Sequence, residues 1–241
     1  MRGPLSALRA FVSGASGGVG LAVARMLASG GASLFLTARS ADALAKAAFQ
    51  ISQDFAVPVE TAVADVTQPV EVEATALECG KIDIAVSCSG YIPPGGLEDI
   101  PADRFKQGLL SAVFAPAVML RELREPLIES DRGLFIVVID APDEVRDDDI
   151  YAAMSGAALR ALVAGGGVAH GFADPFDGED TTENDETDEG PVEPLLRTVG
   201  VLSGRGARGD DLARAVLNVA LEPQRWENGA TYGYRDILQA E

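Results

Sequence analysis

The sequence predicts an α/β fold, a doubly wound parallel sheet in three layers, and three observations carry that expectation. Short apolar runs alternate with amphipathic stretches from the start of the chain, the pattern of a parallel sheet covered on both faces. One run, LFIVVI at 134–139, is continuously apolar, as a strand buried on both sides must be. The first run enters its helix through a turn that carries Gly14, Gly17, Gly18 and Gly20.

In order, the reading is LRAFVS (8–13) then a helix over 18–29, SLFLT (33–37) then 40–53, and VETAVA (59–64) then 68–79. IDIAVS (82–87) follows with a helix over 102–125, then GLFIVVI (133–139) with one over 151–164. GVAHGF (167–172) is expected as the sixth strand, 209–221 as the last amphipathic helix and ATYGY (230–234) as an edge strand. The 241 residues fit one domain, 1–241, and show no internal repeat. Ligands are expected at the carboxyl ends of the strands.

Composition removes several function classes. The formal charge of -18 argues against a nucleic-acid partner, whose phosphates attract clusters of Lys and Arg. No apolar run approaches the roughly 20 residues needed to cross a bilayer. The N-terminus carries Arg2 and Arg9 and runs directly into a strand and the glycine-rich turn, which is not the layout of a signal peptide, so a cytoplasmic protein is expected. Two cysteines, Cys79 and Cys88, suggest a reducing compartment, and one histidine, His170, leaves too few ligands for a His/Cys metal site, so no metal is expected. Lysine occurs only at 46, 81 and 106 beside 37 acidic residues. Such a balance suits a salt-loaded cytoplasm, where screening tolerates self-repulsion; an Arg-favouring genome with one acidic loop is the plain alternative. That loop is 174–193, where 10 of 20 residues are acidic and none is basic. It reads as a solvated segment, or, following a strand whose end faces the ligand, as a lid.

In the turn SGASGGVG, glycine lets the backbone approach a pyrophosphate, and the helix N-terminus favours its charge. This turn resembles the TGxxxGxG of the short-chain dehydrogenase/reductase family, with Ser13 for the usual threonine, and the resemblance runs from about residue 8 to about 173. It implies a Rossmann-like domain that binds its cofactor through Ser13, Gly14, Ser16, Gly18, Val19 and Gly20. LTARS ends the second strand with Arg39 where an NAD-binding fold has an acidic residue, which favours NADP over NAD; a solvated strand-end arginine is the alternative. ADV at 64–66 looks like the family's acidic signal beside the adenine, carried by Asp65 and Val66. SCSG at 87–90 stands in place of NNAG, with Ser89 and Gly90 beside the cofactor and both asparagines absent.

The family resemblance implies hydride transfer between a nicotinamide and a carbonyl or alcohol substrate. A tyrosine handles the proton, and a lysine four residues on, a serine and an asparagine support it. Free tyrosine titrates near 10, so about a thousandth is phenolate at neutral pH without help. Here Tyr151 holds the tyrosine place, but Ser155 replaces the lysine, Asp140 the serine and Ala112 the asparagine. A carboxylate cannot donate a hydrogen bond unless protonated. VIDAPDEVRDDDIYAAMSGAALRAL and GYIPPGGLEDI also resemble a divergent branch with YxxxSxGNAAL and AIPGG segments. Tyr151, Asp140 and Ser155 are therefore the candidate catalytic set of an atypical NADP-dependent oxidoreductase. The alternative is a catalytically degenerate NADP-binding protein acting as a partner or redox sensor, with Tyr151 a packing aromatic.

With the sixth strand at 167–172, the Tyr151 helix would end at the GGG of 165–167, and Pro175 and Phe176 would replace the family's Pro-Gly beside the nicotinamide. A helix so shortened removes part of the usual helix-mediated dimer contact and leaves homo-oligomer formation open. The expected partner is a small molecule, with no membrane. Cys88 reads as a small buried hydrophobe and His170 as a packing residue.

Overall fold

A computed structural model of the chain describes residues 3–88, 90, 95–96, 98–140, 150–166, 196–203 and 207–240. Each apolar run forms a strand because β-branched and aromatic residues can be buried on both faces of a pleated sheet. The strands are β1 (Arg9–Ser13), β2 (Ser33–Ala38), β3 (Val59–Val63), β4 (Ile84–Ser87), β5 (Gly133–Ile139), β6 (Leu196–Leu202) and β7 (Thr231–Gly233). They pair in parallel in one sheet of order β3-β2-β1-β4-β5-β6-β7. The chain reverses direction across the sheet between β1 and β4, and this switch opens a crevice at the strand ends.

Successive side chains on a strand point to opposite faces, and the core divides accordingly. Ala10 and Val12 of β1, with Leu34 and Leu36 of β2, pack beneath α1 (Gly18–Ser29), α2 (Ala41–Phe55) and α8 (Gly209–Leu221). Phe11, Phe35 and Phe135 point the other way, toward α3 (Pro69–Cys79), α5 (Ala115–Glu122) and α7 (Ile150–Gly166). Phe11 and Phe35 stack with ring centres 5.7 Å apart. The expected single domain of three layers is thus an α/β/α sandwich. The chain ends in α9 (Tyr234–Gln239), which joins the first of these cores. The edge strand expected at 230–234 is β7, and α8 has the expected bounds.

Two expectations change. The helix expected over 102–125 is α4 (Ala102–Leu109), a π-turn over Leu110–Phe114 and α5, with α6 (Arg124–Ile128) after a break at Leu123. Pro116 explains the π-turn: it has no N–H for the carbonyl of Ala112, and its ring would clash with that carbonyl in a regular helix. The chain widens by one residue there, and the Ala115 N–H donates to the Leu110 carbonyl instead.

The second change concerns the sixth strand. Residues 167–172, with His170, lie outside the described residues, and the place beside β5 is taken by LRTVGVL, with Gly133 opposite Leu196 and Ile139 opposite Leu202. α7 is described as far as Gly166, and the rest of the glycine run expected to end it lies outside the described residues. Gly166 lies against Thr198, and the Thr198 hydroxyl donates to the Val163 carbonyl at 2.7 Å. The acidic run 174–193 lies outside the described residues and precedes β6 in the chain. A lid following the sixth strand is corrected on this ground: the segment that follows that strand starts at Ser203. For the same reason Pro175 and Phe176 do not follow the sixth strand.

Thr198 clamps three segments, because its N–H donates to Asn228 Oδ1 at 2.9 Å and its carbonyl accepts from the Gly229 N–H. Thr198→Val is expected to destabilise the protein by about 1–2 kcal/mol, since the buried Val163 carbonyl loses its side-chain donor. A urea unfolding midpoint unchanged from wild type would refute this.

Candidate functional site

The site begins at the turn between β1 and α1. Gly14 and Gly18 have φ of 69° and 53°, a left-handed conformation that glycine adopts without strain. A Cβ on Gly20 would lie 2.3 Å from the Gly14 carbonyl oxygen, so its absence lets α1 sit directly on the exit of β1. A Cβ on Gly17 or Gly18 would meet nothing within 4 Å. Those two backbones face open space at the start of a helix whose first turn carries no acidic residue and no side-chain cap. Free N–H groups and the positive end of the helix dipole there make a receptor for an anion. Ser16 and Val19 lie in this same turn.

Ser13 is fully buried at the end of β1 and its Oγ accepts from the Cys88 N–H at 3.2 Å, tying β1 to the exit of β4. Ser87, in the first asparagine's place, is fully buried, and its hydroxyl has no partner among the described residues. The strand-bridging support of an asparagine is not replaced by that hydroxyl. Ser89 lies outside the described residues. Gly90 has φ of 118°, and a Cβ on it would lie 2.5 Å from Ala112 Cα. Glycine is therefore required here by the close approach of the π-turn. Burial pushes the Cys88 thiol up to about 12 and that of Cys79 up to about 11, so both are protonated at neutral pH, which suits packing rather than nucleophilic chemistry.

On the other side of β1, Arg39 follows β2 directly, is exposed and forms no ion pair among the described residues. Ser40 caps α2 by accepting from the Ala43 N–H at 3.4 Å, which sets Arg39 at the rim of the crevice. Asp65 lies past β3 and accepts from both the N–H and the hydroxyl of Thr67, at 3.0 and 2.8 Å; Val66 follows it and packs against the Phe11 core.

Asp140 and Ser155 meet where β5, the π-turn and α7 converge, while Tyr151 does not line their cavity. A cavity of about 20 Å³ is lined by Gly90, Ala112, Val138, Asp140, Ala152, Ser155 and Leu159. The places of the family's asparagine, serine and lysine, held by Ala112, Asp140 and Ser155, are therefore brought together. Tyr151, in the first turn of α7, borders them through Ala112; it is 5% exposed and its ring packs on Phe105 with centres 4.2 Å apart. Ser155 is buried, and its hydroxyl turns back to the carbonyls of Tyr151 at 3.0 Å and Ala152 at 3.1 Å. Its one hydrogen is spent within its own helix, so it does not take over the reach of a lysine.

Two residues here escaped the reading of the sequence. Phe105 packs on Tyr151 from α4, and Ser203, just past β6, donates to Asp140 Oδ1 at 2.9 Å. The Ser203 N–H also donates to the Ile139 carbonyl at 2.9 Å, which fixes the serine beside the exit of β5. Its signal was the apolar run LRTVGVL, which competes with GVAHGF for the sixth place. Among the described residues no cluster of His, Cys, Asp or Glu could hold a metal ion, and no helix is long and apolar enough to cross a membrane.

Comparison with known proteins agrees with this architecture. The chain is similar to the glycine betaine reductase ATRR of Emericella nidulans, with 44% identity over 95 residues, but these are 38% of this chain and 7% of that protein. Its likeness to the gluconate 5-dehydrogenase of Gluconobacter oxydans is weaker and longer, 26% over 239 residues, or 93% of this chain and 92% of that one. Among solved structures, an alcohol dehydrogenase from the archaeon Thermococcus sibiricus, complexed with 5-hydroxy-NADP, superposes with a TM-score of 0.71 at 22% identity, over 94% of this chain and 95% of that one. At that identity the likeness is one of fold. The family profile described as short chain dehydrogenase matches residues 9–153, more than half of the sequence and the part that holds the glycine turn, β5 and Tyr151. The chain belongs to the short-chain dehydrogenase family of oxidoreductases.

Proposed function

We infer that this protein is an atypical NADP-dependent oxidoreductase that exchanges hydride between a nicotinamide and a carbonyl or alcohol substrate. The observation that carries the reading is the first turn of α1, with open space over Gly17 and Gly18, no carboxylate in the turn and Gly20 seated on Gly14. Bound nicotinamide would supply or accept the hydride. The pyrophosphate would sit over Gly17 and Gly18, Arg39 would meet the 2′-phosphate, and Asp65 and Val66 would border the adenine. Ser89 and Gly90 complete the expected set on the nicotinamide side. Tyr151 would pass the proton to or from the substrate oxygen, and Asp140 would line the cavity on the substrate side; Ser155 serves α7 by its backbone bonds.

A second reading is an NADP-binding protein without turnover, acting as a partner or redox sensor. The back-bonded Ser155 and the apolar Ala112 favour it, since neither gives a proton path near Tyr151. The protonated, buried thiols would leave any sensing to the nucleotide.

Fluorescence titration with NADPH and NADH, at low and high salt, tests the cofactor. NADPH is expected to bind more tightly, and Arg39→Ala to weaken NADPH about tenfold or more while moving NADH less than about twofold, because only the former loses a charge-assisted bond. Equal losses for both nucleotides would remove NADP selectivity at Arg39. For the chemistry, Tyr151→Phe is expected to lower steady NADPH oxidation about 100-fold or more, the usual size of a lost proton-transfer group. Equal rates in both proteins would sink Tyr151 as proton donor, and nucleotide binding without turnover over a broad carbonyl and alcohol panel would leave the second reading.

A further inference from the structure

Resting on the oxidoreductase reading above, we propose that Asp140 is a specificity-determining residue that selects a substrate presenting a hydroxyl group, and that Ser203 is the positioning residue that aims it. Asp140 is exposed immediately beyond β5 and lines the cavity beside Ala112 and Ser155. As a carboxylate it offers acceptor lone pairs only. A carbonyl oxygen is also an acceptor only, so the two repel, whereas an alcohol donates its hydrogen to the carboxylate in a charge-assisted bond.

The neighbouring hydroxyls do not restore a donor. Asp140 and Ser155 are the polar side chains among the described residues that line the cavity, and the Ser155 hydrogen goes to its own helix. Ser203 is 6% exposed and gives its single hydrogen to Asp140 Oδ1. Its backbone N–H is held by Ile139, so the serine is anchored to the strand that carries Asp140. With Oδ1 engaged from the side of β6, the other carboxylate oxygen remains for a ligand. Where the family has a serine that donates to the reacting oxygen, this chain thus has an acceptor, with a serine on the next strand holding it in place.

The test uses the full chain loaded with cofactor and two probe pairs, 2-propanol with acetone and cyclohexanol with cyclohexanone. Alcohols are added to the NADPH-loaded protein and ketones to the NADP+-loaded protein, so that neither is turned over, and saturation-transfer NMR reads binding. In the wild type each alcohol is expected to give about fivefold more saturation transfer than its ketone, the worth of one polar contact made and one repulsion avoided. Asp140→Ser, or Asp140→Asn if the serine variant folds poorly, supplies a donor and should bring the ketones level or above. Ser203→Ala should cut the alcohol signal about threefold with NADPH affinity unchanged, and Ser203→Thr, which keeps the hydroxyl, should restore it. No alcohol preference in the wild type, including no response to any probe, overturns the proposal. So does a preference that survives both Asp140 variants, and a full alcohol signal in Ser203→Ala overturns the role of Ser203. Absence of NADPH and NADP+ binding would instead remove the nucleotide reading on which the proposal rests.

Discussion

The close approach of α1 to the exit of β1 is the constraint on which the rest of the site depends. A hydrogen in place of a side chain at Gly20 lets the helix backbone touch the Gly14 carbonyl, where a Cβ would lie 2.3 Å away. That contact aims the helix N-terminus at the crevice between β1 and β4. Because β1 also sits at the reversal of strand order, the same turn faces both halves of the sheet. On one side the Ala15 N–H donates to the Thr37 carbonyl near the end of β2, and on the other the turn is tied to β4 through the bond from Cys88 N–H to Ser13. A side chain at position 20 would displace the helix and move every one of these groups relative to the others.

The substrate side is built on a second close approach. Gly90 presses on the π-turn at Ala112, and the π-turn exists because Pro116 cannot serve the regular helical ladder. A π-turn inside an α-helix often marks a functional site, since it breaks the ladder next to the chemistry. Here the π-turn carries Ala112 and faces Ser155, a serine turned back on its own helix. Beside them Asp140, held by Ser203, offers acceptor oxygens only.

Most of the architecture could be read in the sequence because it is local. LFIVVI is a buried strand wherever it lies, and Pro69 and Ser40 mark helix starts through a fixed backbone angle and a side-chain cap. The same holds for the glycine turn, whose spacing states which positions tolerate a close backbone and which stand open. Pro116 was equally visible, and its effect on the helix over 102–125 could have been reasoned from its missing N–H.

The sixth strand could not be settled in this way. GVAHGF and LRTVGVL are both short apolar runs of strand character, and pairing along the edge of β5 decides between them, from Gly133 opposite Leu196 to Ile139 opposite Leu202. That choice puts the acidic run before the sixth strand in the chain and sets Ser203 beside Asp140, residues 63 positions apart. By itself, then, the sequence determined the layered sheet, the glycine turn and the residue types Ala112, Asp140 and Ser155 around Tyr151, because each depends on residue type at a fixed local spacing. Only the tertiary structure decided what stands in their places, since the direction of the Ser155 hydroxyl and the partner of Asp140 are set by which strands and helices meet.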